Sequence, residues 1–478
     1  MRVFVLACGH CGIPESLASA PLGADVTVIW RRALCEAPDS PLPPRVPDAA
    51  VLVLVGGNLD AQARIAEDAA RAGVHPLRVR FLGGWRLFRD AGALELLARA
   101  ALARLRSLDV DRAATRQTSR FRGAVPRRWF LSPLTRFRES MPRIEPSRCR
   151  AADGCDLCIQ SCPEAAIARS VPPVIDAAKC TSCGACLAAC PTEAVEDPVQ
   201  GFEGLAVEAS ALADGPRLSL AVVCSHGILR PLRAASAFDP TRWRVVEVPS
   251  LGALRPLQIL RLRAAGFERI VGLSAGRCCS GQANPFLVAA AVLDALGYPG
   301  TVEHWDVAGG PPPDAGTPAP PTPVPAGGSL VAFASAHGRL VCVTLPGRGA
   351  GIVTVDREKC TLCGLCAPRC WSRALQMDDP DSGIVRLTFD HAACDGCGLC
   401  ADACPEDAVR LEYGIDTAAA GTRSVVAEDA WVLCSSCGAQ VAPRKMVARV
   451  ASTLGPAVRL DLCPECKSSR LFESVRAA

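Results

Sequence analysis

Apolar residues in the first hundred positions come in short unbroken runs rather than in alternation. Val3–Ala7 (VFVLA), Val26–Trp30 (VTVIW) and Val51–Val55 (VLVLV) are such runs. A strand apolar on both sides is covered on both faces, the condition of a parallel sheet in an α/β layer. Ala61–Ala72 and Ala91–Leu105, rich in Ala, Leu and Arg, predict helices that follow them. The pattern returns at 217–307. There Leu218–Cys224, Arg244–Val248 and Arg269–Leu273 predict strands, and Pro256–Ala265 and Pro285–Leu296 predict helices.

Two stretches break the pattern. Residues 111–146 carry nine arginines and several prolines, and read as a basic, partly extended linker. Arg127-Arg128 lies within it, far from the start of the chain, and reads as part of a solvated arm or docking strip. Residues 308–328 hold eight prolines and form a semi-rigid spacer of polyproline character. At 478 residues the chain has room for several domains, and with half its residues hydrophobic and 21% charged it is globular. A net charge of +4 is too small to argue for a nucleic-acid partner. The opening MRVFVLACGHCG reads as a buried first strand rather than a signal peptide, and no stretch reaches the apolar length of a membrane span. The expected location is a reducing cytoplasm.

Cysteine spacing carries the chemistry. Sixteen of the 27 cysteines fall into four runs of one spacing. Three are regular: Cys180, Cys183, Cys186 and Cys190; Cys360, Cys363, Cys366 and Cys370; Cys394, Cys397, Cys400 and Cys404. The fourth, Cys149, Cys155, Cys158 and Cys162, has five residues in its first gap. Three thiolates on one tight turn hold three irons of a cubane, and the fourth cysteine of each run serves the cubane of the neighbouring run. That rule assigns Cys149, Cys155, Cys158 and Cys190 to one [4Fe–4S] cluster and Cys180, Cys183, Cys186 and Cys162 to another. It assigns Cys360, Cys363, Cys366 and Cys404 to a third, and Cys394, Cys397, Cys400 and Cys370 to a fourth. Prolines follow Cys162, Cys190 and Cys404, whereas Trp371 follows Cys370 and leaves that turn less defined. Near the C-terminus Cys434-SS-Cys437 and Cys463-PE-Cys466 make two knuckles suited to a tetrahedral S₄ site. Zinc is the commonest occupant, a rubredoxin-like iron is less common, and a site without stable metal is the third reading. The helix between the knuckles is expected at Arg444–Leu454.

Residues 147–199 and 340–413 resemble the bacterial-type 2[4Fe–4S] ferredoxin family, which implies one-electron transfer through adjacent cubanes. The LAVVC run ending at Cys224, the PSLG turn at Pro249–Gly252 and the GRCCSG segment with Cys278 and Cys279 resemble the iron–sulfur delta subunit of methyl-viologen-reducing hydrogenases. That family holds a [2Fe–2S] cluster and passes electrons to a flavoprotein. Ser250 stands here where the family has a cysteine, so a degenerate docking domain is the simpler reading. Cys8-GH-Cys11-Gly12, Cys35 and Arg71–Trp85 resemble the N-terminal region of heterodisulfide reductase A. Cys8, Cys11 and Cys35 with His10 could hold a cluster or a metal; the plainer alternatives are a buried thiol pair or a redox-active CxxC. No G-x-G-x-x-G follows a strand, so FAD is not expected. The second ferredoxin-like stretch with its CxxC tail also resembles ferredoxin subunits that accompany formate dehydrogenases or hydrogenases.

The expected fold class is α/β plus α+β in a multidomain chain. Two small parallel-sheet α/β units (1–110 and 217–307) alternate with two 2[4Fe–4S] ferredoxin-like domains (147–199 and 340–413), and a zinc-ribbon-like module (426–478) closes the chain. The expected function is that of an iron–sulfur electron-transfer subunit (polyferredoxin) carrying four [4Fe–4S] clusters and one zinc or iron. Its partners would be flavoprotein, hydrogenase or formate-dehydrogenase-type subunits. No catalytic residue stands out. The competing expectation is a catalytic, heterodisulfide-reductase-like subunit that works through a CxxC or Cys-Cys pair; a third is an assembly factor that uses clusters only to fold.

Overall fold

The computed structural model describes residues 1–37, 41–55, 59–82, 91–111, 113–118, 137–199, 201–213, 218–224, 242–274, 284–306, 329–378, 383–454 and 460–469. The chain divides into two compact units. One is residues 1–324 without 153–155; the other is 325–478 with those three residues. Cys278, Cys279, Arg127, Arg128 and the proline-rich spacer lie outside the described residues.

The first unit is built on two parallel four-stranded sheets with the same strand order. In the first, β1 (Arg2–Cys8) is flanked by β2 (Val26–Arg31) and β3 (Ala49–Leu54), with β4 (Val79–Phe81) outside β3. Val3 stands opposite both Val26 and Ala50. Val3, Val5, Leu6 and the whole of β3 are shut off from solvent, as the unbroken apolar runs require. Helices α1 (Leu59–Arg71) and α2 (Ala91–Arg106) belong to this sheet.

In the second sheet β5 (Ser219–Cys224) is flanked by β6 (Trp243–Val248) and β7 (Arg269–Ser274), with β8 (Val302–Asp306) outside β7. Helices α4 (Pro256–Ala264) and α5 (Pro285–Ala295) connect its later strands. Proline at the first helical position and the Asn284 side chain accepting from the Phe286 amide start α5. The elements expected from the sequence fall within one or two residues of their expected ends, whereas the outer strands β4 and β8 were not expected.

Helix α3 (Phe202–Leu212) packs against α2 on one side and against α4 and β6 on the other. Its buried Glu208 receives Arg104 Nη1 and Arg80 Nη2, each at 2.7 Å. Burial opposes the Glu208 charge, but the two guanidiniums outweigh it and hold the carboxyl below its usual range. The basic stretch expected as an extended linker contains a ladder: Ala114–Thr118 pairs antiparallel with Phe137–Met141. Between α2 and α3 sits a small region of two-residue strand pairs, 143–144 with 195–196 and 167–168 with 174–175, around a core of cysteines.

The second unit has an antiparallel pair, Gly351–Val355 on Val409–Asp416, extended by Cys342–Thr344. Its other sheet runs Leu375–Asp378, Ile384–Asp390, Arg423–Leu433 and Gln440–Pro443, all antiparallel. The long strand Arg423–Leu433 carries the chain from the ferredoxin-like region directly to Cys434. Helix α6 (Arg444–Leu454) follows, as its sequence implied.

Candidate metal centres

The cysteine runs fold into turns that ordinary side chains resist. Among the described residues six non-glycine positions have positive φ: Ala165, Ser182, Glu193, Leu362, Arg373 and Asp407. All six belong to the cysteine runs. Ser182 and Leu362 lie two residues after the first cysteine of a run, where Gly396 does the same in the third. Ala165, Glu193, Arg373 and Asp407 each lie three residues after a run's fourth cysteine, and each amide bonds that cysteine's carbonyl at 3.0 to 3.4 Å. Left-handed backbone at a non-glycine residue costs about 1–3 kcal/mol and persists only where its surroundings dictate it. Gly184, Gly364 and Gly398, at φ +77°, +77° and +85°, supply the same bend after the second cysteine without that cost.

Two departures from the regular runs keep the same turn. Trp371 replaces proline, yet Arg373 at φ +56° keeps the turn, and Trp371 Nε1 is anchored on Asp395 Oδ2 at 3.1 Å. The irregular run keeps it too: Ala165 bends at φ +46° and the Ala166 amide donates to Cys162 Sγ at 3.2 Å. Equivalent amide-to-sulfur bonds reach Cys370 from Leu375 and Cys404 from Ala408, both at 3.3 Å. Such donors favour thiolate over thiol.

The turns bring together cysteines from different runs. One pocket is lined by Cys360, Cys363, Cys366 and Cys404, another by Cys180, Cys183, Cys186 and Cys162. Cys370 acts electrostatically on Cys394 and Cys400. Burial, reinforced by neighbouring sulfurs, pushes Cys366 and Cys394 up to about 12 and Cys400 up to about 11. Buried thiols so placed ionise together only beside cationic charge, which iron would supply. At the first region's rim Arg255 of the second sheet caps the turn: its guanidinium bonds the Cys190 carbonyl and lies 3.3 Å from Glu193 Oε1. Neither this cap nor the Trp371 anchor has a signal in the sequence.

Cys434, Cys437, Cys463 and Cys466 have their sulfurs within 4.8 Å of one another. Cys437 and Cys463 are 3.7 Å apart. Ligands about 2.3 Å from a tetrahedral ion stand about 3.8 Å apart, so the four sulfurs suit one ion. Gly438 at φ +76° closes the first knuckle, its amide on the Cys434 carbonyl at 2.9 Å. The backbone amide of Cys463, with those of Ser436 and Cys437, brings the Cys434 thiol down to about 6.

At the carboxyl end of β1, Cys8, Cys11 and Cys35 also lie within 4.8 Å of one another. The parallel register places Cys8 opposite Arg31, so the turn after β2 brings Cys35 alongside. At the matching end of β5, Cys224 is fully buried, with its Sγ 3.7 Å from the Pro249 carbonyl oxygen. Ser250, which follows β6 there, commits its hydroxyl to the Gly252 amide at 3.1 Å.

Residues 359–408 match the family model described as a 4Fe-4S dicluster domain, and residues 173–196 match that of a 4Fe-4S binding domain. The chain carries ferredoxin-type iron–sulfur domains. These matches take in the runs beginning at Cys180, Cys360 and Cys394, while the Cys149 run lies before them. No curated protein matches the chain. Among the described residues no helix is long and apolar enough to cross a membrane.

Proposed function

We propose that this chain is an electron-transfer subunit that holds four [4Fe–4S] clusters in two couples, with the crossed ligand sets given above. One observation carries the reading: the left-handed turn three residues past the fourth cysteine recurs in all four runs, including the irregular one. Strain repeated four times at one place relative to a ligand is what a shared cofactor accounts for. The Cys434 quartet would take one zinc or iron ion in a ribbon-like module. Flavoprotein, hydrogenase or formate-dehydrogenase-type subunits in the cytoplasm are the donors and acceptors that the sequence resemblances suggest; the family matches support the ferredoxin domains.

The bound clusters would accept and release single electrons. The chain's own residues place the thiolates, direct amide hydrogens at their sulfurs and keep water from the cysteine cores. Anaerobically purified protein should contain about 16 irons and as much sulfide, four of each per cubane. Redox titration followed by electron paramagnetic resonance should show signals from interacting pairs. Iron near half that value would remove one couple, and iron-free protein would remove the reading.

A further inference from the structure

We propose that Cys8, Cys11 and Cys35 hold a single thiophilic divalent ion, zinc by its chemistry, with His10 as the fourth donor. The first argument is distance. The three sulfurs lie within 4.8 Å of one another, the spacing of ligands around one tetrahedral ion. A cubane sets a separate iron behind each ligand and spreads the sulfurs wider. Among the described residues the sixteen ferredoxin-type cysteines form no such tight trio, while the Cys434 quartet does.

The second argument is a likeness within the chain. Cys8-x-x-Cys11-Gly12 and Cys434-x-x-Cys437-Gly438 are the same knuckle, each closed by a glycine at positive φ, +96° and +76°. In both, the turn closes back on the first cysteine's carbonyl, from the Cys11 amide at 3.2 Å in one and from the Gly438 amide at 2.9 Å in the other. The loop is pinned by Trp30 Nε1 on the Ile13 carbonyl at 2.9 Å.

The third argument is burial. Cys8 and Cys35 sit in the apolar core of the first sheet with Leu34, Leu42 and Val55, and none of the three cysteines is in a disulfide. Thiolates there need a cation beside them. His10 Nδ1 is 3.6 Å from Cys35 Sγ and 2.8 Å from Glu36 Oε1. The imidazole stands beside the trio rather than within it, so it completes the shell by turning its ring, with Glu36 as the carboxylate that orients it. Three thiolates and one imidazole make a structural zinc set. The site lies at the carboxyl ends of the neighbouring strands β1 and β2, the edge of the sheet at which open α/β folds place their ligands.

The test uses full-length protein with Cys434 and Cys437 changed to serine, so that the C-terminal site adds no metal. Zinc, iron and sulfide are measured before and after Cys11→Ser, with Cys35→Ser as the second variant should one fail to fold. The expected result is loss of about one zinc with iron and sulfide unchanged. Unchanged zinc, or loss of about four irons with sulfide, would overturn the proposal, the latter by showing a cubane there. Cobalt substitution reads the fourth donor: His10→Ala should shift the ligand-field bands and speed extraction by a chelator several-fold, whereas an unchanged spectrum removes His10 from the shell. A zinc result leaves the cluster reading untouched, because iron and sulfide report that separately.

Discussion

The two α/β sheets have one strand order and one location for chemistry, yet they present different atoms there. The first offers Cys8, Cys11 and Cys35 at the carboxyl ends of β1 and β2, with their sulfurs within ligating distance of one another. The second offers Cys224, buried at the end of β5, and Ser250, whose hydroxyl is committed to capping its own turn. The parallel sheet supplies a crevice in both, but the residues just beyond the strands decide whether it can hold an ion. The two corners differ in sequence at more than one place: Cys8 has Cys11 three residues on and Cys35 after β2, whereas Cys224 has Gly227 three residues on and Ser250 after β6.

The largest test of this pairing concerns the helix between the sheets. Glu208→Gln leaves Arg80 and Arg104 facing a neutral amide, with Arg104 almost fully buried. Breaking a buried ion pair from one side costs about 3–5 kcal/mol. Chemical denaturation should show a loss of that size in the first unit, and a loss below about 1 kcal/mol would mean that the sheets are held together by apolar contacts alone. A smaller effect separates the two crevices themselves. Ser250→Ala should cost up to about 1 kcal/mol through the lost cap, with metal content unchanged; Cys35→Ala should change metal content. Equal metal content in the two variants would erase the distinction drawn between the sheets.

The smallest effect is in acid. His304 on β8 pairs with Ser274 Oγ on β7 at 2.9 Å, and no strand of the first sheet carries a histidine. Burial pulls the His304 imidazole below its ordinary value of 6.5, with Asp306 pulling weakly the other way. As pH falls through about 6.5 the unfolded chain takes up this proton before the folded one does. The contribution is therefore complete above that pH and is lost progressively below it. Hydrogen exchange should show the second sheet loosening on acidification before the first, and His304→Gln should flatten the slope. Parallel acid profiles of the two sheets would show that His304 is not its source.

The strands and helices were legible because unbroken apolar runs such as VFVLA and VLVLV have few other places to go than the middle of a parallel sheet. The turns of the cysteine runs were legible because their spacing is local. What was hidden is non-local. Nothing near Arg423 announces that Arg423–Leu433 joins Ile384–Asp390, with a register shift at Leu387/Thr388 that no periodicity encodes. The ladder joining Ala114–Thr118 to Phe137–Met141 sits in a stretch whose arginines and prolines read as linker. Cys35 could be named as a candidate, but its place against Cys8 depends on the parallel register of β1 and β2, which sequence separation does not contain. The Glu208 clamp joins residues 104 and 128 positions apart and was invisible for the same reason.

The left-handed bends at Ala165, Glu193, Arg373 and Asp407 have a consequence for biosynthesis. A nascent chain leaving the ribosome has no reason to visit these conformations, since nothing in free peptide offsets their cost. Ligand binding to such a segment is folding free energy. With clusters in these turns as proposed, starvation for iron should be felt as a shortage of protein before it is felt as a shortage of electrons.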